Sequence, residues 1–127
     1  MNESVVNVRY MVSDVQEAVD WYVDCLGFQP QMNAAPAFAS VARGPLRLLL
    51  SGRTSSAGRP MPDGRQPEAG GWNRFQVIVE DIGAEVERLR REGVRFRNDI
   101  LSGPGGSQIL AEDPSGNLVE LFQPAGR

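Results

Sequence analysis

Glu120 is the residue whose type and position most plainly ask for a chemical partner. It stands in the run Leu118-Val119-Glu120-Leu121-Phe122, behind a turn built from Asp113-Pro114-Ser115-Gly116-Asn117. The alternation reads as a strand, with Leu118, Glu120 and Phe122 on one face and Val119 and Leu121 on the other. A carboxylate between two large apolar neighbours is costly to bury unless a donor or a cation meets it. Either Glu120 has such a partner and can act as acid, base, metal ligand or ligand anchor, or the strand is an edge and Glu120 faces water.

The composition narrows that chemistry. The chain has no His, which removes the commonest transition-metal ligand and the usual base near neutral pH, and with it Ser-His-Asp and Cys-His mechanisms. A single Cys, Cys25, excludes an internal disulfide and a multi-cysteine metal site and fits a reducing compartment. Lying at the end of a helical pattern, just before Leu26-Gly27, it reads as a small buried residue rather than a nucleophile. Catalysis is left to carboxylates, Arg, Tyr, Cys or a group supplied from outside.

A length of 127 residues allows one domain with a real core, or two very small ones. An apolar content of 41% and a charged content of 23% are those of an ordinary globular protein, and a net charge of -3 leaves no electrostatic footprint for nucleic acid. No basic region followed by an apolar stretch opens the sequence, and no run reaches membrane-spanning length. We therefore expect a cytoplasmic protein with no membrane partner.

The elements that must position Glu120 follow from periodicity. Val6, Val8, Tyr10 and Val12 alternate with Asn7, Arg9 and Met11 as a strand. From Asp14 the spacing becomes helical, with Val15, Ala18, Val19, Tyr22, Val23 and Leu26 on one side, an Asp14/Glu17 capping box at the start and Gly27 at the end. Phe28 begins a strand or turn that Pro30 limits. Residues 31–43 are poorly patterned apart from a short strand over Phe38 to Val41, and Gly44-Pro45 turns the chain into the buried strand Leu46 to Leu50. Residues 52–71 hold a dense Gly, Pro and Ser cluster without periodicity and read as a long exposed connection. The pattern then restarts: Arg74, Gln76 and Ile78 alternate with Phe75, Val77 and Val79, and Asp81 caps a helix with Ile82, Val86 and Leu89 inward. Gly93 stops it, and strands follow over Val94 to Phe96, Gln108 to Ala111 and Leu118 to Phe122, with a turn at Ser102 to Gly106.

Both halves share one plan, so we read an α+β fold of two tandem βαβββ modules, 1–52 and 72–127, joined by a linker at 53–71 into one domain. Aligning Gly44-Pro45-Leu46-Arg47-Leu48 with Gly116-Asn117-Leu118-Val119-Glu120 makes Leu48 the counterpart of Glu120. A single helix protects only one face of a four-stranded sheet, so the other faces must be covered in some other way.

With Trp21-Tyr22, Leu26-Gly27-Phe28, Asp81, Gly93-Val94, Asp113-Pro114-Ser115-Gly116-Asn117 and Glu120 in this order, the chain resembles the vicinal oxygen chelate superfamily. That superfamily includes glyoxalases, extradiol dioxygenases, fosfomycin-modifying enzymes and bleomycin-binding resistance proteins. The resemblance implies curved mixed sheets enclosing a cavity, and in the metalloenzymes a metal held from the first and last strands of each module. Carried over by position, those ligands fall on Asn7, Arg74, Leu48 and Glu120, of which only Glu120 keeps the metalloenzyme pattern. Leu48 offers no donor and Arg74 brings a positive charge, so we expect no metal and no other cofactor, with a divalent metal as the weaker alternative.

Arg74 then becomes the candidate partner of Glu120 in a charge-assisted pair. Two readings remain open. In one, the pair only neutralises two inherited positions. In the other, Asn7, Arg9, Arg74, Gln76 and Gln108 form a polar wall and Met11, Leu48, Leu50, Ile78 and Phe122 an apolar wall of a small-molecule site. The expected function is a metal-free binding protein of the glyoxalase/bleomycin resistance/dioxygenase type, sequestering an aromatic or antibiotic-like molecule as a homodimer. The alternative is a glyoxalase-like lyase, isomerase or dioxygenase with Glu120 as catalytic base or in an atypical metal site. Trp21 and Tyr22 read as core, Trp72 as packing anchor or lid, and Arg88, Arg90 and Arg91 as a solvated helix face among Glu85, Glu87 and Glu92.

Overall fold

In a computed structural model of the chain, which describes residues 5–126, the fold groups into two compact units, one ending at Ala69 and one beginning at Gly70. The first unit contains β1 (Val6–Met11), α1 (Val15–Leu26), β2 (Gln29–Ala34), β3 (Phe38–Arg43) and β4 (Leu46–Ser51). Its helix starts where the Asp14 carboxylate accepts the Glu17 amide at 3.0 Å and ends at Gly27, whose φ of 70° only glycine adopts without strain. The buried helix face of Val15, Ala18, Val19, Tyr22, Cys25 and Leu26 is nearly the one expected, and Tyr22 meets Phe28 edge-on at 5.4 Å between centroids.

The first sheet has the order β1-β4-β3-β2, with β1 parallel to β4 and the other pairs antiparallel. Register places Val8 beside Leu48 and Leu48 beside Val41, and Tyr10 beside Leu50 and Leu50 beside Ala39. These residues make the core beneath α1, where Leu48 and Leu50 have no exposed surface. The expectation that Leu48 and Leu50 line an apolar site wall is therefore corrected: both are helix-side core.

Pro30 does not end the chain's second strand. β2 continues to Ala34 because it is the edge strand, where a missing N–H is tolerated, and the ladder shifts register between Pro30 and Met32. The stretch beyond β4 carries a single 3-10 turn, Ser56–Gly58. It is tied back by Gly52 N–H donating to Ala37 O at 2.8 Å, the Ser55 hydroxyl to Gly52 O at 2.7 Å and Gln66 Nε2 to Gly58 O at 2.6 Å.

The second unit contains β5 (Arg74–Ile78), α2 (Ile82–Arg91), β6 (Arg95–Phe96), β7 (Leu101–Gly103), β8 (Gly106–Glu112) and β9 (Leu118–Pro124). Its sheet runs β5-β9-β8-β6, with β5 parallel to β9 and β7 paired to β8. The turn expected over Ser102 to Gly106 is shorter than read, since Ser102 and Gly103 belong to β7 and Gly106 to β8. Asp81 caps α2 by accepting the Ala84 amide at 3.0 Å, Gly93 turns left-handed with φ 85°, and Ile82, Val86 and Leu89 are buried. Beneath α2 lie Val77, Ile109, Ala111, Val119 and Leu121.

The turn before β9 is a rigid hydrogen-bonded hub. Asp113, with no exposed surface, accepts the Ser115 and Asn117 amides at 2.8 and 2.9 Å through Oδ1, and Asn117 Nδ2 donates to its Oδ2 at 3.2 Å. Asn117 Oδ1 in turn accepts the Gly70 amide at 2.8 Å. The start of β9, and with it the register of Glu120, is set by this cluster.

Candidate functional site

With Val119 and Leu121 committed to the helix side of β9, Leu118, Glu120 and Phe122 face the other way. Across the ladder they stand beside Arg74, Gln76 and Ile78 of β5, and beside Glu112, Leu110 and Gln108 of β8. This open face holds the candidate site of the second unit.

Glu120 is 7% exposed, and both of its carboxylate oxygens are engaged. Arg74 Nε donates to Oε1 at 3.1 Å and Gln76 Nε2 donates to Oε2 at 2.8 Å. The carboxylate between two apolar neighbours thus finds its cation and an additional donor, in the manner required of buried charge. Arg74 also reaches back to the Trp72 carbonyl with Nη1 at 3.2 Å. Gln108 sits opposite Phe122, one step along the sheet from Glu120. The Phe122 ring lies against Gly106, where a Cβ would collide with Phe122 Cζ and the Gln123 carbonyl.

A second pair on the same face was not foreseen. Arg97 Nε donates to Glu112 at 2.8 Å, Nη1 to Gly71 O and Nη2 to Gly116 O at 3.3 Å each, and its guanidinium stacks on the Trp72 ring at 4.6 Å. Trp72 itself is 65% exposed. Its carbonyl and ring therefore join the two arginines that neutralise Glu120 and Glu112. The helix arginines behave as expected, Arg88 pairing with Glu85 at 2.8 Å and Arg91 with Glu87 at 3.9 Å.

In the first unit, Asn7, Arg9 and Met11 face away from α1, beside Arg47, Leu49 and Ser51 of β4. Arg9 Nη1 donates to the buried Ser51 hydroxyl at 2.9 Å. Register makes the internal correspondence explicit: Asn7 pairs with Arg47 and Arg9 with Leu49, as Arg74 pairs with Leu118 and Gln76 with Glu120. Since Asn7 and Arg74 stand at the same spacing before their capping Asp14 and Asp81, the counterpart of Glu120 is Leu49, not Leu48. Leu48 lies one residue off, and a one-residue slip turns a side chain to the opposite face. The residue missed by the sequence reading is Arg47, which only the β1–β4 ladder places on the open face, because the distance from the helix cap to the last strand differs between the two halves.

The donor set does not fit a resident divalent cation. Glu120 has the Arg74 guanidinium against one oxygen and Gln76 on the other, its counterpart is Leu49, and among the described residues no three of His, Cys, Asp and Glu converge.

The family pattern of the glyoxalase/bleomycin resistance protein/dioxygenase superfamily matches residues 4–121. Among solved structures, TnmS3, an antibiotic binding protein from Streptomyces sp. CB03234, is 27% identical, covers 95% of each chain and has a TM-score of 0.70. Lactoylglutathione lyase from Agrobacterium tumefaciens, 19% identical over 96% of this chain and 94% of that one, has a TM-score of 0.75 and bears on the fold alone. A probable chloroplastic lactoylglutathione lyase from Arabidopsis thaliana is 23% identical over 94% of this chain, which spans 35% of that longer protein. The two βαβββ units, their Asp-capped helices and the match over nearly the whole length establish that this chain belongs to the glyoxalase/bleomycin resistance protein/dioxygenase superfamily.

Proposed function

We propose that this protein binds a small organic molecule without a metal, on the open, helix-free face of a sheet, and that it does so as a homodimer. The observation that carries this reading is the closed hydrogen-bonding state of Glu120. A carboxylate whose two oxygens already accept from Arg74 and Gln76 is poorly placed both to ligate a cation and to take a proton from a substrate. The same face offers Ile78, Leu110 and Phe122 beside Gln76 and Gln108, a mostly apolar surface with a few fixed polar groups, which is the usual make-up of a small-molecule site. TnmS3, named as antibiotic binding, supports the same choice within the superfamily.

Elemental analysis of the protein after incubation with Mn²⁺, Fe²⁺, Ni²⁺ and Zn²⁺, with Glu120→Ala as control, tests this reading. The expected result is metal well below one equivalent in both proteins. Stoichiometric metal that disappears in Glu120→Ala would overturn it in favour of a metal-assisted lyase, isomerase or dioxygenase.

A further inference from the structure

The two sheets are built to one plan but differ in charge. The strands of the second contain Arg74, Arg95, Glu112 and Glu120, and its open face is neutralised by the Arg74–Glu120 and Arg97–Glu112 pairs. The strands of the first contain Arg9, Arg43 and Arg47 and no Asp or Glu. Arg9 and Arg47 both face away from α1, and the position that in the second sheet supplies the neutralising carboxylate is occupied by Leu49.

Arg47 is the sharper of the two. Its Nε is buried and accepted by nothing, the one buried side-chain polar atom among the described residues without a hydrogen-bond partner. An orphaned buried donor is rare in native proteins and calls for a reason. Arg47 as a whole is half-buried, and the Nη1/Nη2 end of a guanidinium presents two parallel N–H groups to a planar or tetrahedral anion.

From this we infer that Arg47 is an anion-recognition residue: it receives an acidic group of the ligand, a carboxylate, sulfonate, phosphate or phenolate, with Asn7 and Arg9 beside it on the open face of the first sheet. The assignment rests on the small-molecule reading above and narrows the ligand to an amphipathic organic anion. The missing carboxylate at Leu49 has a purpose under this reading, since an internal partner would compete with the ligand. Arg47 is held in a state that folding alone does not favour, and its Nη1/Nη2 end is left for the ligand.

The test uses two fluorescent probes that differ by one acidic group, anilinonaphthalene sulfonate and its uncharged parent phenylnaphthylamine, titrated into the full-length protein and into Arg47→Met and Arg47→Lys. The expected result is saturable binding at one probe per chain. Arg47→Met should weaken the sulfonate about tenfold or more while leaving the neutral probe within about twofold, and Arg47→Lys, which keeps the charge but not the paired N–H groups, should fall between the two. Removing the orphan donor should also raise the Tm of Arg47→Met by roughly 2–6 °C, a shift opposite in sign to that of a residue needed for the fold. If both probes bind and Arg47→Met changes neither, the Arg47 assignment is overturned and the binding function stands. If neither probe binds saturably both readings are overturned, and if the neutral probe binds while the sulfonate does not the Arg47 assignment alone is overturned. Loss of stability or of folding in both variants makes Arg47 structural and overturns the assignment as well.

Discussion

Glu120, Arg74 and Gln76 form a unit whose members are not interchangeable. The Glu120 side chain is 9% exposed and that of Arg74 33%, so the pair is partly screened by solvent and its strength lies between that of a surface and a buried bridge. Replacing Arg74 with Ala leaves Glu120 buried on one remaining donor and is expected to lower unfolding free energy by about 1–3 kcal/mol. A double-mutant cycle with Glu120→Ala, read by urea denaturation, is expected to give a coupling of about 1 kcal/mol. A coupling near zero would mean that the contact carries no stability. Glu120→Gln removes the charge that Arg74 meets, while its NH₂ can be accepted by Gln76 Oε1 once that amide flips, so it is expected to be destabilising but less so than Glu120→Ala. The Glu120–Arg74 pairing is legible in the sequence because both residues stand at short spacings from local landmarks, the Asp113 turn and the Asp81 cap. The Arg97–Glu112–Trp72 cluster is not, because its residues come from separate segments with no shared spacing.

At the scale of elements, β4 shows where sequence reading fails and why. Leu46-Arg47-Leu48-Leu49-Leu50 carries apolar residues on both faces, so period-2 alternation has only Arg47 to set its phase. Aligning on the turn glycines gives Leu48 where the strand register gives Leu49, and that one residue separates the core from the open face. The two positions are separable by experiment. Leu48→Ala is expected to cost about 2–5 kcal/mol in stability, as for a fully buried leucine, with probe affinity per folded molecule unchanged. Leu49→Ala, half-buried on the open face, is expected to cost about 1 kcal/mol and to weaken the neutral probe. The reverse pattern would restore Leu48 to the site. By contrast α1 and α2 were legible nearly to the residue, since each has an Asp cap, a 3.6-residue apolar stripe and a left-handed glycine after it.

At the scale of the whole molecule, each unit has one helix for one sheet, which leaves the other face without a helix of its own. Exposed apolar side chains remain on the strands, among them Val6, Met32, Ile78 and Leu101, each more than half exposed. Together with the homodimer implied by the superfamily resemblance, this leads us to expect sedimentation equilibrium to return twice the chain mass at micromolar concentration. A single-chain mass throughout that range would remove the dimer from the proposal while leaving the binding site within one chain to be tested by the probes. No helix among the described residues is long and apolar enough to cross a membrane.

The amino-acid sequence by itself determined the two capped helices and the oddity of Glu120, which depend on neighbours within a turn or two of chain, and the duplicated plan and the lack of a histidine-based chemistry, which need only pattern and composition. The tertiary structure alone decided which faces the β4 side chains take, that Arg47 rather than Leu48 stands on the open face, and that Trp72 joins two arginine–carboxylate pairs. Strand register is the physical reason. It is set by hydrogen bonding between segments far apart in the chain, and a shift of a single residue exchanges the core face for the open one.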